Sequence, residues 1–373
     1  MTDREDILGP VGGGLAWISG DGPHADIILS TRIRLARNLE RYPFRETITS
    51  PQQEMVAEDL LEAYRSAEPE LGDTPHQFLR LVEMPDNQLT LLLERHLVSR
   101  EMVKFKESAA LLVGDEGRLS ILVNEEDHLR IQVLTPGLQL DRSWDIAERT
   151  EGALRTRLKF AYHHRFGFLT SCPTNTGTGL RASVLIHLPG LVLTREIHKV
   201  LQGLSQIGLT FRGLYGEGSD VIGNYFQLSN QTTLGKGEEE LVDHLAQITR
   251  QVIEYEENAR QVLARDALDE IEDKVWRAYG LLTCARSISF DEMMNLLSAV
   301  RLGVSMKLLP DVGVDTLNEL LLLTQTAHLE RKTGRSLTKR EREVARARLV
   351  REILENDRAE HEEFGDDEDE EAG

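Results

Sequence analysis

Over about the first 235 positions, apolar and polar residues alternate in short runs. The clearest are Ile27 to Leu35, Ser108 to Val113, Leu119 to Val123, Leu129 to Leu134, Leu180 to Leu188, Leu209 to Leu214 and Gly223 to Ser229. A period of two is the signature of a strand with one buried face. These runs follow one another without regular intervening helices, which predicts an α+β domain with an antiparallel or mixed sheet rather than a doubly wound one. From about Glu238 the pattern changes to helical spacing, with Leu241, Leu245, Ile248 and Val252 leading into Ile271 and Val275. Three capping boxes mark later helix starts: Ser289 with Glu292, Thr316 with Glu319, and Thr338 with Glu341. The organisation expected is an N-terminal extension (1–25), an α+β domain (26–255), a helical domain (256–355) and a disordered acidic tail (356–373).

Charge refines this picture. The chain has 373 residues and a formal charge of −20, but residues 357 to 371 hold ten acids against one arginine, so the body is only moderately acidic. That argues against nonspecific nucleic-acid binding, which needs a basic face. The two cysteines, Cys172 and Cys284, suggest neither a disulfide framework nor a zinc site. With no apolar run long enough to span a bilayer and no export signal, a cytoplasmic protein without a membrane partner is expected.

Within this frame four segments carry chemistry. In Leu29–Asn38, alternation sends Arg32 and Arg34 to one face, two forks that suit phosphate oxygens, although an exposed basic strand would read the same way. Between Leu119 and Val133 a strand-like pattern is interrupted by Glu125, Glu126 and Asp127 and continues through His128 and Arg130. Read as one strand, it puts Asn124, Glu126, His128, Arg130 and Gln132 on a common face; a hairpin turn with solvated acids is the alternative. Leu169–Val184 contains Cys172 in a polar loop, then Arg181 in a strand. Its Gly177–Ala182 formally fits a dinucleotide pattern, but a strand follows where a helix would be needed. In Leu209–Asp220, glycines surround Arg212 and Glu217. No Walker A or protein-kinase motif set is present.

In this order, Ser-Thr-Arg-Ile-Arg, Asn-Glu-Glu-Asp-His-Leu-Arg, Cys-Pro-Thr-Asn-x-Gly-Thr-Gly-Leu-Arg-Ala-Ser and Arg-Gly-Leu-Tyr-Gly-Glu-Gly resemble the guanidino (phosphagen) kinase family. The closest branch is the bacterial one that phosphorylates arginine in proteins. The resemblance implies a large, mostly antiparallel sheet flanked by helices, with a helical regulatory and dimerisation domain after it. It implies that Arg32, Arg34, Arg130, Arg181 and Arg212 hold the phosphates of MgATP. Glu126 would orient the target guanidinium and take its proton, Glu125 would lie near the magnesium shell, Cys172 would sit by the guanidino nitrogen, and Glu217 would be a second guanidinium-facing carboxylate. Mg2+ would be held mainly by nucleotide oxygens and water.

The chemistry accounts for these residue types: a guanidinium is a poor nucleophile until a carboxylate aligns and deprotonates it, and arginines stabilise charge shifting to the leaving ADP. The first motif begins near residue 30, without the helical domain that precedes it in the small-molecule enzymes, and this favours protein arginine as acceptor. Arg342, Glu343, Arg346 and Ala347 resemble the family's regulatory phosphoarginine site, with Glu343 in place of aspartate; a solvated arginine-rich face is the alternative. The resemblance also implies a stress-response role marking proteins for a Clp-type AAA+ protease, a zinc-binding activator, and a homodimer. A kinase of free arginine or another small guanidine, and a phosphoarginine-reading adaptor, are the competing functions.

Overall fold

The computed structural model describes residues 14–71, 76–213, 221–309 and 312–371. Its strands are β1 (Ile28–Arg37), β2 (Gln77–Arg80), β3 (Ala110–Gly114), β4 (Leu119–Val123), β5 (Leu129–Pro136), β6 (Tyr162–His163), β7 (Gly167–Phe168), β8 (Leu180–His187), β9 (Leu209–Gly213) and β10 (Tyr225–Asn230). Eight of them form one sheet in the order β2-β3-β4-β5-β1-β8-β10-β9, antiparallel at every pairing. The alternating runs correspond to seven of these strands. β2 lacks a signal because its four residues are all half-buried and do not alternate.

The helices are α1 (Ser50–Leu71), α2 (Asp86–Glu94), α3 (Arg100–Lys104), α4 (Leu140–Arg155), α5 (Pro189–Leu193), α6 (Ile197–Gln206), α7 (Glu238–Asp266), α8 (Leu268–Cys284), α9 (Phe290–Ser305), α10 (Val314–Leu323), α11 (Thr326–Thr333) and α12 (Lys339–Glu371). One sheet face, formed by Ile33, Leu35, Ile131, Val133, Ala182, Val184 and Leu228, is wholly buried with Leu60 of α1, Leu154 of α4, and Leu245 and Val252 of α7. Burying one face of every central strand is what leaves the other free to be polar. A second core joins α8 to α10 and α12 with Leu29 and Tyr225 of the sheet domain.

Three expectations need correction. Asn124 to His128 are not strand: Asn124 turns at φ 57°, its N–H donates to the His128 carbonyl at 2.9 Å, and the segment is the hairpin connection between β4 and β5. Thr316 is not a cap. α10 starts one turn earlier at Gly313, and the Thr316 hydroxyl donates to Asp357 instead. That contact also corrects the tail: α12 continues helically beyond residue 356, and Asp357 is buried because it accepts from Thr316 and from the Gly313 N–H at 3.2 Å. The other two caps form, Ser289 accepting from the Glu292 N–H at 3.2 Å, and Thr338 and Glu341 exchanging bonds reciprocally.

Arg301 of α9 joins the two parts of the molecule. Fully buried, it donates to the Asp26 carbonyl at 3.1 Å, to Asn318 Oδ1 at 2.7 Å and to the Ala25 carbonyl. These carbonyls immediately precede β1. Replacing it with Ala leaves the buried Asn318 Oδ1 and two part-buried carbonyls without their donor, so Arg301→Ala is expected to destabilise the protein by about 2–4 kcal/mol. A urea melt compared with wild type measures it.

Candidate active site

Directly opposed residues on antiparallel neighbours share a face. Arg34 stands opposite Gln132 on one side and Arg181 on the other, and Arg32 opposite Leu134 and Ser183. Arg130 lies two residues before Gln132 on β5. Through β10, Ser183 pairs with Ser229, and Ser229 and Gln227 pair with Thr210 and Arg212 of β9. All five arginines therefore project from the face opposite the main core. Burial, with repulsion from Arg181 and Arg130, lowers the Arg32 guanidinium to about 10. Arg34 is lowered well below its usual value by burial and by Arg32, Arg130 and Arg181, with Glu125 opposing. Its Nε is buried without a hydrogen-bond partner. Mutually repelling guanidinium groups on one face form a site complementary to a polyanion.

The β4–β5 turn supplies the opposite charge. Glu125 is 6% exposed and its carboxylate meets Arg130 Nη1 at 2.6 Å. Burial resists its ionisation, but Arg130, hydrogen bonds from Ser99 and the Glu126 N–H, and Arg34 hold it below the usual carboxylate range. Glu126 Oε2 accepts from Arg130 Nη2 at 3.2 Å and from Asn175 Nδ2 at 3.3 Å. It lines a cavity of about 390 Å³ together with Cys172, Thr174, Asn175, Arg181, Arg212 and Thr233. Cys172 Sγ lies 3.0 Å from Thr174 Oγ1. The loop carrying both is held down by Thr233, whose hydroxyl bonds the carbonyls of Thr174 and Thr176 at 2.9 and 2.8 Å. Gly177, at φ 122°, permits this, because a Cβ there would collide with the Thr233 carbonyl.

The structure thus gathers Arg32, Arg34, Arg130, Arg181, Arg212, Glu125, Glu126 and Cys172. Glu217 lies outside the described residues. His128 does not join the site: its Nδ1 accepts from the Leu39 N–H at 3.0 Å and its Nε2 meets the Pro43 carbonyl at 2.9 Å. Arg342, Glu343, Arg346 and Ala347 sit on α12, in the helical part. Arg346 is buried and donates to the carbonyls of Thr324 and Ile288 at 2.9 and 3.1 Å, Ala347 is core, and Arg342 lies 3.9 Å from Glu330. Among the described residues, no group of three or more His, Cys, Asp or Glu side chains is arranged to hold a metal ion. Glu125 and Glu126, the carboxylates of the site, are both engaged by Arg130.

Other participants are placed by contacts that the sequence pattern does not encode. Asp127 Oδ1 accepts from Asn38 Nδ2 at 2.6 Å and from the Ser171 N–H at 2.7 Å, tying the Glu126 turn to the Cys172 loop. Trp17 and His96 line a pocket beside Arg32 with Ser30, Ser183, Leu185 and Gln227. Burial, with Arg32 nearby, lowers the His96 imidazole to about 4, so it faces Arg32 uncharged.

Residues 55–259 match the ATP:guanido phosphotransferase C-terminal catalytic domain, and residues 268–365 match the protein-arginine kinase McsB C-terminal domain. The protein-arginine kinase of Symbiobacterium thermophilum is 48% identical over 342 residues, 91% of this chain and 96% of that protein. The protein-arginine kinase of Desulforamulus reducens is 44% identical over 356 residues, 95% and 98% of the two chains. The crystal structure of lombricine kinase superposes with a TM-score of 0.55 at 24% identity, covering 65% of this chain and 69% of that one. The substrate-free duplicated taurocyamine kinase from Schistosoma mansoni gives a TM-score of 0.55 at 24% identity, covering 69% and 38%. These two share the fold. With five arginines facing two carboxylates on such a sheet, and full-length relatives at this identity, the chain belongs to the protein-arginine kinase family of ATP:guanido phosphotransferases.

Proposed function

We propose that the protein transfers the γ-phosphoryl group of MgATP to arginine side chains of proteins. The observation that carries this reading is Glu126, whose carboxylate touches Arg130 of the cationic face and lines the cavity beside Cys172. The five arginines take the phosphates, and Trp17 and His96, which border a pocket of about 50 Å³ lined also by Arg32, meet the nucleotide on one side. When the phosphates draw Arg130 away, Glu126 is released to hold the incoming guanidinium. A guanidino nitrogen attacks the γ-phosphorus in line, its N–P bond forming as the bond to the ADP oxygen breaks, and the nitrogen's proton passes to Glu126. Cys172 and Asn175 border the acceptor and orient it. Mg2+ would come with the nucleotide, with Glu125 near its shell, and would neutralise phosphate charge. Protein rather than free arginine as acceptor is supported by the relatives' activity and by their shared C-terminal domain.

A finer reading makes residues 26–255 the catalytic domain and 256–355 a regulatory and dimerisation domain. Arg342 and Arg346 would bind phosphoarginine there, with a zinc-binding activator and a Clp-type protease as cytoplasmic partners. Its support is the match of the helical region.

The test is label transfer from γ-labelled MgATP to an unfolded protein and, separately, to free arginine. Acid-labile label located on protein arginine by mass spectrometry is expected. Label on free arginine alone assigns the protein to small guanidines, and none on either acceptor, with an activator present, refutes catalysis in favour of phosphoarginine reading.

A further inference from the structure

His96, beside Arg32, is held in a strained conformation, and the helical region supplies what holds it. At the end of α2, the Leu97 N–H donates to the Leu92 carbonyl at 3.0 Å and the His96 N–H to the Leu93 carbonyl at 3.1 Å. In this helix-ending motif the residue at the His96 position takes positive φ and is usually glycine. His96 sits there at φ 60°, so its backbone carries a steric penalty that its ring must justify. The ring is in edge contact with Trp17, centroids 5.5 Å apart, and its carbonyl accepts from Gln132 Nε2 at 2.8 Å.

The two residues before it are gripped by α11. The Glu94 carboxylate accepts from the Ala327 N–H at 2.8 Å and the His328 N–H at 3.2 Å, capping that helix, and its Oε2 pairs with His328 Nδ1 at 2.9 Å. On the other edge of the same buried imidazole, Arg95 Nε donates to His328 Nε2 at 3.3 Å. An Nδ1–H tautomer of neutral His328 satisfies both contacts.

We infer that Glu94 and His328 are positioning residues for the nucleotide: the α11 brace fixes the strained His96 turn and with it the pocket beside Arg32. The inference rests on the reading of that pocket as the nucleotide's. It also links the helical region to nucleotide affinity. The far end of α11 is held by Glu330, which accepts from the Leu337 N–H at 3.0 Å and lies 3.9 Å from Arg342. Arg346 grips the Thr324 carbonyl just before α11.

The experiment measures MgADP binding by calorimetry, together with KM for ATP and for protein substrate, in full-length wild type, Glu94→Ala, Glu94→Gln, His328→Asn, His96→Ala and the Glu94→Ala/His96→Ala double variant. Glu94→Ala should weaken MgADP and raise KM for ATP about 5- to 20-fold with KM for protein unchanged. In the His96→Ala background the Glu94 change should add less than about twofold. A Glu94→Ala protein that melts earlier but binds MgADP as wild type does overturns the inference, as does an equal loss with and without His96. Should Glu94→Ala not fold, Glu94→Gln and His328→Asn carry the same comparison. Wild type that binds MgADP but transfers no phosphate refutes the kinase reading and leaves this test intact; wild type that binds no MgADP overturns both.

Discussion

Glu126→Gln is expected to lower phosphoryl transfer to protein arginine by about 100- to 10,000-fold, the range for loss of a positioned general base, with MgADP binding retained. The substitution keeps the size and the oxygen that accepts from Asn175 and Arg130. It removes the negative charge that aligns a guanidinium and the lone pair that takes its proton. Glu125 cannot substitute, because it is buried and does not line the cavity that Glu126 shares with Cys172. The fall should therefore appear in kcat, with KM for ATP within about twofold of wild type, since Glu126 contacts the acceptor and not the phosphates. Single-turnover label transfer at saturating MgATP reads it directly. Activity within tenfold of wild type would remove Glu126 from the proton transfer.

How much of this was legible in the chain follows from which forces are local. Strand alternation is local, so Arg32, Arg34, Arg130 and Arg181 could be assigned to polar faces before their strands were aligned, whereas Arg212 read only as part of a glycine-rich loop until the register of β9 placed it with them. The Asn124–His128 segment, read as continuing strand with a hairpin turn as the alternative, is polar at every position, so its own pattern does not separate the two. What bends it is Asn124 in a left-handed conformation, its side-chain amide donating to the carbonyls of Gln53 and Ser108, both at 2.9 Å and both distant in sequence. Thr316 shows the same limit: its capping pattern is correct locally and loses to Asp357, a partner forty-one residues away. His96 gave no signal because a glycine would normally mark its backbone conformation, and only the surrounding pocket explains a histidine there. Asp127 and Asn38 act as a brace between three loops, a role that spacing along one segment does not encode.

Arg34→Met is expected to abolish most activity and yet to stabilise the ligand-free protein. On the central strand, Arg34 is flanked by Arg32, Arg130 and Arg181, with its Nε buried and unpaired. Removing one member of a crowded set of like charges relieves repulsion and desolvation together, and a methionine of similar length fills the space left by the stem. Replacements of buried charges by well-packed apolar groups stabilise by about 1–4 kcal/mol, so a rise in the urea midpoint without nucleotide is expected. With MgATP the order should reverse. Wild type gains from binding what the variant cannot recover, because a phosphate oxygen would face a thioether instead of a guanidinium fork. Loss of one such contact in the transition state costs about 100- to 1,000-fold in rate. Paired melts with and without MgATP decide the matter: a variant less stable than wild type in both conditions would mean that Arg34 is a structural cation and that the arginine face is not strained in wait for an anion. Stability rising while activity falls would identify the repulsion among these four side chains as the cost of a preformed phosphate site, relieved when the nucleotide binds.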